Sequence, residues 1–461
     1  MKSGTILRVL PLFVCGLAFL VITPPFQSPD EPEHFARIVQ LSQFEIFASM
    51  SSREKSAEAV AILPKSVIDA IEALPNIRFD EKKKLSLSQL TQALAASPAL
   101  DAKASNNRFS YGISSYALIS PVPYLPQTIA VVFGRLLSRS PFELLYLARL
   151  GNLIFAMLLV ALALSALEFS PRLRLAVFIM AGVPMNLFVM GTASNSSAIV
   201  AFTLCLIAVG ANLRQKYTRR HFAWYLVLAT AMSFSKSLYF GLPLVILPTI
   251  WSQARTSRAR YQRVGLLLAA CILPNLTWTL AAKGLYSPLR AGVDPLAGLM
   301  LALHHPLATL HVMLSSTKYY YTFYKETFIG RVGWHDVAVP YRMVKHYCHA
   351  LLLVAFIAPR KGTERPWPKL HSFWVLLVTG TTGAMVYFTI FLTWNPLGAT
   401  LIEGVQGRHF LPVFPFFFLA AWPVFKLKPL FWKIWQAGIL GGWATAVVIT
   451  LYCTFTRYWL I

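Results

Sequence analysis

The chain has 461 residues, of which 56% are hydrophobic and only 13% are charged. Soluble globular domains carry about 45–50% apolar and about 25% charged residues, so this composition excludes an ordinary water-soluble protein. The net charge of +24 fits either a nucleic-acid-binding protein or a membrane protein with basic loops on one side. The five cysteines show no paired spacing, which argues against a disulfide framework and against a zinc site.

Apolar runs that suit a lipid bilayer recur along the chain. The first, at about 6–23, lacks a small-residue cleavage site, so we expect an uncleaved anchor with its N-terminus in the cytoplasm. A polar region at about 24–110 follows, with amphipathic stretches at 63–74 and 85–94 that predict surface helices. Further apolar runs lie at about 149–168, 175–190, 196–213, 222–235, 237–251, 264–282, 346–359, 371–394, 410–425 and 434–455.

Residues 116–138 are the ambiguous segment, because they are apolar but contain Pro121, Pro123 and Pro126. If this segment lies at the membrane interface, the densely basic loops all fall on one side, with one acidic residue, Glu364. That arrangement satisfies the positive-inside rule. We therefore predict an all-α polytopic membrane protein with about eleven transmembrane helices, outer-face juxtamembrane helices, and a C-terminus outside. In this arrangement the net charge of +24 results from basic loops on the cytoplasmic side and does not indicate nucleic-acid binding.

This topology divides the chain into three parts. Residues 1–282 hold the first span, a large outer loop at 24–148 and spans two to seven. Residues 283–345 form a second outer loop, and residues 346–461 hold spans eight to eleven. Long loops in a compact protein are uncommon unless they are functional, so we expect the chemistry on the outer face.

An acidic motif directly follows the first span. Ser28 with Glu31 three residues later predicts a capping box, and Pro29 suits the first position of a helix. In one interpretation, Asp30 and Glu31 only complement the N-terminus of a surface helix. In the other, the two carboxylates lie one turn from His34 at the membrane surface, where they would deprotonate a hydroxyl or hold a divalent metal. The spacing leaves both interpretations open.

Lys236 lies between two short apolar runs whose other ends are basic, so we expect it at the outer boundary of the membrane or in a cavity there. It either extends to the interface as a snorkelling lysine or contacts a lipid phosphate. Arg331 precedes a Gly-Trp-His-Asp sequence that contains His335 and Asp336. These three residues are further candidates for substrate binding if a loop brings them together.

Arg408 lies at the outer mouth of the tenth predicted span and is a second candidate for a phosphate contact, because a guanidinium matches phosphate geometry. The alternative is an arginine that merely flanks the membrane. Gly404 and Gly407 precede it, and we expect them to let the backbone approach a ligand closely.

Several of these motifs together resemble a bacterial family of predicted membrane proteins, domain of unknown function 2142. The resemblance rests on segments that occur in order along the chain: Pro29-Asp30-Glu31-Pro32-Glu33-His34-Phe35, Ser120–Pro126, Ser235–Tyr239, Gly333–Asp336 and Gly404–Pro412. The layout is similar to that of GT-C glycosyltransferases, which have an acidic motif in the first outer loop.

The GT-C resemblance implies a function. It implies transfer of a sugar from a polyprenyl-phosphate carrier to an envelope glycan, lipid or protein, on the outer face of the bacterial inner membrane. Asp30 would be the base and Glu31 a helper or metal ligand. The residues identified above from the sequence itself complete this hypothesis: we expect substrate to be bound by His34, Lys236, Arg331, His335, Asp336 and Arg408. No cofactor is identified, although Asp30 and Glu31 would suit a divalent metal. The alternatives are a transporter or flippase of a polysaccharide precursor and a non-catalytic envelope assembly protein.

Overall fold

The computed structural model describes residues 3–53, 56–99, 107–287, 290–360 and 367–460. These ranges are mostly helical, in agreement with the predicted fold class. Two small β-sheets, one within residues 24–148 and one at the other end of the helix bundle, depart from the all-α prediction.

The N-terminal part contains one apolar helix and then a mixed segment of short helices and strands. Their bounds are α1 Ser3–Ile22, α2 Glu31–Ser42, β1 Ser49–Arg53, β2 Ser56–Pro64, α3 Lys65–Glu72, α4 Leu87–Ala96, β3 Arg108–Gly112, α5 Ser114–Ala117 and α6 Leu125–Leu136. The strands form an antiparallel sheet with β2 in the centre. Helices α3 and α4 confirm the two predicted surface helices. The sheet was not predicted, because β1 lacks the alternation of apolar residues that indicates a strand.

The ambiguous segment at 116–138 forms α5, a 3-10 turn at Val122–Tyr124 and α6. At 1.5 Å per residue, the 12-residue α6 is about 18 Å long, too short to cross a hydrocarbon core of about 30 Å. One face of α6 is buried and the other exposes large apolar side chains: Leu125, Ile129, Phe133 and Leu136. This amphipathic form suits a helix at the membrane surface.

The rest of the chain is a helix bundle. Its helices are α7 Pro141–Ala166, α8 Pro171–Ala181, α9 Pro184–Met190, α10 Ser196–Gln215, α11 Arg219–Ser235, α12 Leu247–Ser252, α13 Ser257–Ala282, α14 Pro295–His304, α15 Pro306–Tyr319, α16 Tyr321–Ile329, α17 Tyr341–Phe356, α18 Lys369–Trp394, α19 Phe417–Ala420 and α20 Pro429–Tyr458. A short parallel pair joins β4 Ile357–Pro359 to β5 Phe425–Leu427. Two 3-10 turns, Ser237–Tyr239 and Gly407–Phe410, follow α11 and α18.

Several of these helices are long and apolar enough to cross a membrane. Among the described residues there are five, namely α7, α10, α13 extended to Leu285, α18 and α20. The number rises to seven if the bent pairs α8–α9 (62°) and α14–α15 (109°) are each one span. The predicted runs at 237–251 and 410–425 contain 3-10 turns and short helices instead of one long helix. The structure thus supports a multi-pass membrane protein, and the count of about eleven stays a prediction.

The bundle has two distinct ends. At one end, which we call the Asp30 end, the Trp459 indole after α20 donates to the carbonyl of Ile22 at the close of α1, at 2.7 Å. At the other, the Arg172 end, the Arg172 guanidinium at the start of α8 donates to the carbonyl of Ala355 near the close of α17, at 2.9 Å. Because α20 is 30 residues long, about 45 Å separate its two termini.

Candidate functional site

The acidic motif folds differently from the predicted capping box. Helix α2 begins at Glu31 with a proline in its first turn, and Asp30 precedes it in the left-handed conformation with φ 60° and ψ 14°. The Asp30 side chain does not cap the helix. The carboxylate of Glu31 accepts from the backbone N–H of Phe26 at 3.0 Å instead of folding back onto Ser28. Asp30 is therefore left to face other groups.

Glu31 forms a fully buried ion pair with Arg149 in α7. Arg149 Nε lies 2.8 Å from Glu31 Oε1, and Arg149 Nη2 lies 2.5 Å from Glu31 Oε2. The same carboxylate accepts from the backbone N–H of Ala193 at 2.9 Å. The guanidinium also donates to three carbonyls at the end of α1, those of Leu20, Thr23 and Pro24. Both Glu31 oxygens are thus engaged, so Glu31 fixes the loop that carries Asp30 and does not offer a free metal ligand.

Arg149 is a residue that sequence reasoning missed. The predicted span starts at 149, which makes Arg149 a flanking residue. In the structure α7 begins at Pro141, where Ser140 and Glu143 form a complete capping box, so Arg149 lies inside the helix. The Ser-Pro-Phe-Glu sequence was a usable signal for this earlier start.

The carboxylate of Asp30 faces basic and aromatic groups. Arg408 Nη2 lies 3.7 Å from Asp30 Oδ2, in a pair that keeps 19% and 34% of its side chains exposed. The hydroxyl of Tyr116 is directed at the same carboxylate. Burial raises the pKa of Tyr116 well above its usual value, and the negative charge of Asp30 raises it further. The phenol therefore stays protonated and donates to Asp30.

His34 is buried one turn after Asp30. Its Nδ1 shares a 2.7 Å hydrogen bond with the hydroxyl of Tyr124, and its ring packs edge-on against Tyr116, 4.6 Å between centroids. Burial lowers the pKa of His34 to about 3; the Asp30 charge opposes this shift, and Arg408 and Lys236 reinforce it. His34 is therefore neutral at physiological pH.

Lys236 lies at the C-terminal end of α11 and is partly buried. Burial and the nearby Arg408 together lower its pKa to about 8, while the charge of Asp30 opposes the shift. The hydroxyl of Tyr239, three residues later, donates to the carbonyl of His409 at 2.8 Å. This bond ties the turn that carries Lys236 to the turn that carries Arg408. Asp30, Lys236 and Arg408 are thus brought together, from three distant parts of the sequence.

The two glycines near Arg408 pack against protein. A Cβ on Gly407 would collide with the backbone carbonyl of Tyr324 and the amide of Phe328, both in α16. Gly404 has φ 85°, and a Cβ there would meet the Trp394 ring. These contacts with Trp394 and α16 fix the position of Arg408, and the expectation that the two glycines let the backbone approach a ligand stays a prediction.

The candidates around residue 335 take separate positions. Arg331 donates to Glu326 at 2.8 Å and to the carbonyl of His335 at 2.7 Å. Burial, with the positive charges of Arg408 and Arg331, lowers the pKa of His335 to about 3, and the effect of Arg408 puts His335 at the edge of the site. Asp336 is instead buried in an ion pair with Arg457 at 2.6 Å and holds the end of α20. The structure therefore gives Asp336 a packing role rather than an open position for substrate.

Glu33 and His409 were also missed. Glu33 follows Asp30 by one turn; burial raises its pKa, and the nearby Asp30 charge adds to the shift. One Glu33 oxygen is buried without a hydrogen-bond partner. Burial lowers the pKa of His409, and Lys236 and Arg408 reinforce this. No sequence motif identifies Glu33 or His409, because the surroundings of each side chain are formed by residues that are distant along the chain.

No three-residue metal set accompanies these groups. Among the described residues, no group of three or more His, Cys, Asp or Glu side chains is arranged to hold a metal ion. Since Glu31 is occupied by Arg149, the predicted pair of Asp30 and Glu31 does not present two free carboxylates. The arrangement is better suited to an anion beside a base.

An apolar groove opens next to Arg408. It has a volume of about 610 Å³ and starts at Gly407 and Phe410. Helices α16, α17 and α18 supply most of its walls, and only Lys325 among its lining side chains is charged. The wall residues include Tyr321, Tyr324, Leu351, Leu352, Leu376, Gly380, Gly383, Phe414 and Phe417. A hydrocarbon chain in this groove would have its head beside the Arg408 turn.

Comparison with known proteins gives one match. The family model described as "Predicted membrane protein (DUF2142)" matches residues 13–417, which is most of the chain. No curated protein and no solved structure gives a significant match.

Proposed function

The chain belongs to the DUF2142 family of predicted membrane proteins, and from this premise we propose that it is a membrane glycosyltransferase of GT-C type. It would transfer a sugar from a polyprenyl-phosphate carrier to an envelope glycan, lipid or protein. The description of the family supports only the statement that the chain is a membrane protein. The observation that supports the activity is the convergence of the Asp30 carboxylate with Arg408 and Lys236.

The proposed reaction is a displacement at the anomeric carbon of the donor sugar. The acceptor hydroxyl attacks that carbon, the bond from carbon to the phosphate oxygen breaks, and its electron pair leaves with the carrier phosphate. Asp30 accepts the hydroxyl proton as general base. Arg408 and Lys236 balance the negative charge that develops on the phosphate. All three groups lie together, so one bound donor would meet both the base and the cations.

Other residues of the site have supporting roles in this proposal. Glu31 and Arg149 fix the loop that carries Asp30, and Tyr116 orients the Asp30 carboxylate. His34 is neutral, so it contributes shape and hydrogen bonding and no charge. His335 and Arg331 border the site near Arg408, where they would contact the sugar or the acceptor.

The carrier lipid would occupy the groove beside Gly407. An apolar groove of about 610 Å³ is within the usual range of ligand pockets. Most of its wall residues are leucine, aromatic residues and glycine, which suit an isoprenoid chain better than a sugar. With the chain in the groove, the phosphate would lie at the Arg408 turn, as the proposed reaction requires.

The proposal includes a topology of about eleven spans in the inner membrane. The N-terminus would be cytoplasmic and the site would face outward. In support, the site lies at the Asp30 end, whereas Arg172, Arg360 and Lys426 lie around a pocket at the Arg172 end. A basic end of the bundle is the one expected in the cytoplasm.

The test is sugar transfer in reconstituted vesicles with defined polyprenyl-phosphate sugars as donors. We expect Asp30→Asn to lower the rate by about 10²-fold or more, as is typical for loss of a general base. Asp69→Asn is the matched control, because Asp69 is an exposed carboxylate in the same outer segment. Wild-type rates from both Asp30→Asn and Asp30→Ala would overturn the assignment of Asp30.

The same vesicles separate the proposal from its alternatives. Movement of the lipid-linked sugar across the bilayer without a covalent product would favour a flippase. A complete absence of both transfer and movement, together with normal function in cells of Asp30, Lys236 and Arg408 variants, would favour a non-catalytic assembly protein.

A further inference from the structure

A second pocket lies at the Arg172 end, far from the site described above. It has a volume of about 290 Å³ and is lined by the β4–β5 pair and the segments around it. Helix α20 starts two residues after β5 and ends at Tyr458, beside Asp336 and the Asp30 end. The pocket is therefore separated from the Asp30 site by about the length of that helix, roughly 45 Å.

The β4–β5 pair places two basic side chains on one face. Ala358 in β4 is paired with Lys426 in β5, and paired residues of neighbouring strands point to the same side. Arg360 follows Ala358 by two residues, and its backbone N–H continues the pairing by donating to the carbonyl of Leu427 at 2.7 Å. Because side chains alternate along a strand, Arg360 and Lys426 share the face that lines the pocket.

A third cation lies at the base of the pocket. Arg172 also lines it but is only 1% exposed, and its guanidinium donates to the carbonyls of Ala355 and Phe418. Among the described residues that line the pocket, none is acidic. Arg360 and Lys426 therefore give one wall of the pocket a positive charge.

Two tryptophans place the pocket at headgroup depth. Trp367 and Trp422 line it, and the indole of Trp422 donates to Ser372 at 3.1 Å. Tryptophan is enriched where the hydrocarbon of a membrane meets water. The pocket also lies where α17 ends and α20 begins, and the ends of membrane helices are where a bilayer presents its headgroups.

We propose that this pocket binds the phosphate of an anionic phospholipid headgroup, with Arg360 and Lys426 as the direct contacts. Basic pockets between transmembrane helices recognise such headgroups. A soluble phosphate ester offers the same chemistry, and the experiment separates the two sources. The inference is independent of the proposed glycosyl transfer, since it concerns the opposite end of the bundle.

The experiment compares lipid retention by the full-length protein with native mass spectrometry. The protein is exchanged into mixed micelles with equal phosphatidylglycerol and phosphatidylcholine. We expect wild type to prefer phosphatidylglycerol by about tenfold or more, and the double variant Arg360→Ala/Lys426→Ala to lose that preference. The matched control is Arg255→Ala/Arg258→Ala, which removes two exposed basic residues at the start of α13 and just before it. The conservative variant Arg360→Lys/Lys426→Arg keeps the charge and should keep the preference.

A second arm titrates glycerol 3-phosphate and inorganic phosphate in detergent without added lipid and follows the melting temperature. A rise in melting temperature with glycerol 3-phosphate that the Arg360→Ala/Lys426→Ala variant lacks supports phosphate recognition at this pocket. Stabilisation by the soluble ester together with no preference for phosphatidylglycerol would overturn the lipid as the source. Equal retention of both lipids with no effect of either phosphate would overturn the site itself, as would an equal loss in the control variant.

Discussion

The carboxylate of Asp30 and the guanidinium of Arg408 lie 3.7 Å apart, although they come from opposite ends of the chain. In the proposed reaction these groups have different partners, because Asp30 serves the acceptor and Arg408 serves the phosphate. A bound phosphate therefore competes with Asp30 for the same cation. This relationship leads to the first prediction.

Replacement of Asp30 by Asn should strengthen binding of a phosphate lipid while it abolishes transfer. The pair is partly exposed, so its strength is modest, and we expect about a threefold to tenfold gain in affinity for farnesyl phosphate. Arg408→Ala should weaken the same binding. Fluorescence titration in detergent measures both, with Asp69→Asn as control. A loss of affinity in Asp30→Asn would indicate instead that Asp30 binds the phosphate through a metal ion.

The buried pair of Glu31 and Arg149 should be strongly coupled. Loss of either partner leaves a buried charge unpaired, so Glu31→Gln or Arg149→Met should each lower the free energy of unfolding by about 3–5 kcal/mol. The double variant should cost less than the sum of the two singles. Denaturant unfolding in micelles measures this double-mutant cycle. Additive effects would contradict a direct pair.

Phosphate binding should fall as pH rises through the pKa of Lys236, which burial lowers to about 8. Between pH 7 and pH 9 we expect the affinity for farnesyl phosphate to drop about threefold to tenfold. Lys236→Arg should remove this drop, because arginine stays charged. A pH-independent affinity in wild type would show that Lys236 does not contact the phosphate.

The contribution of Lys236 to the free energy of unfolding changes with pH in the opposite direction to phosphate binding. The unfolded chain retains the proton up to the usual pKa of 10.5, whereas the folded protein releases it near 8. Since the unfolded state then binds more protons, this group makes the fold more stable as pH rises between these values. Loss of phosphate binding above pH 8 would thus not result from unfolding driven by Lys236.

Gly407→Ala should damage both the fold and the site. The added methyl would collide with the backbone of α16 and displace the turn that carries Arg408. We expect a loss of about 1–3 kcal/mol in the free energy of unfolding, together with weaker phosphate binding. Gly438→Ala in α20 is the control, because a Cβ there meets no other atom within 4 Å. Unchanged binding in a stable Gly407→Ala protein would contradict the role of this turn.

Gly380→Trp should block the groove without unfolding the chain. A Cβ at Gly380 meets nothing within 4 Å, and the residue lines the groove, so a large side chain would occupy lipid space. We expect binding of a long polyprenyl phosphate to weaken about tenfold or more, while inorganic phosphate binds as before. Gly438→Trp, which is outside the groove lining, is the control. Equal weakening for both ligands would indicate a displaced site rather than a filled groove.

The sequence identified candidate site residues where a charged residue lies next to an apolar segment. Lys236 and Arg408 are charges beside apolar runs, and Asp30 is an acid directly after the first span, so each was identified without a structure. The sequence left open whether the three residues lie close together; the hydrogen bond from Tyr239 to the carbonyl of His409 joins the turns that carry Lys236 and Arg408.

Predictions from the sequence were wrong where a residue of a local motif binds a partner that is distant along the chain. Ser28 and Glu31 have the spacing of a capping box, but Arg149 draws the Glu31 carboxylate into the protein interior. Asp336 was a candidate for substrate binding because it is next to His335, but it forms a buried ion pair with Arg457. A charge-assisted bond to a partner far along the chain outweighs the small free energy of a helix cap, and spacing alone does not reveal that partner.

Asp30 has little freedom to seek its substrate. Its backbone is left-handed, its next neighbour is held in a buried ion pair, and the helix that follows is buried along most of its length. The carboxylate can therefore change position only by rotation of its short side chain, which has a single methylene. An acceptor has to bind with its hydroxyl next to the carboxylate. The selectivity among acceptors would then depend on how deeply a molecule can enter the Asp30 end, rather than on a movement of the protein toward it.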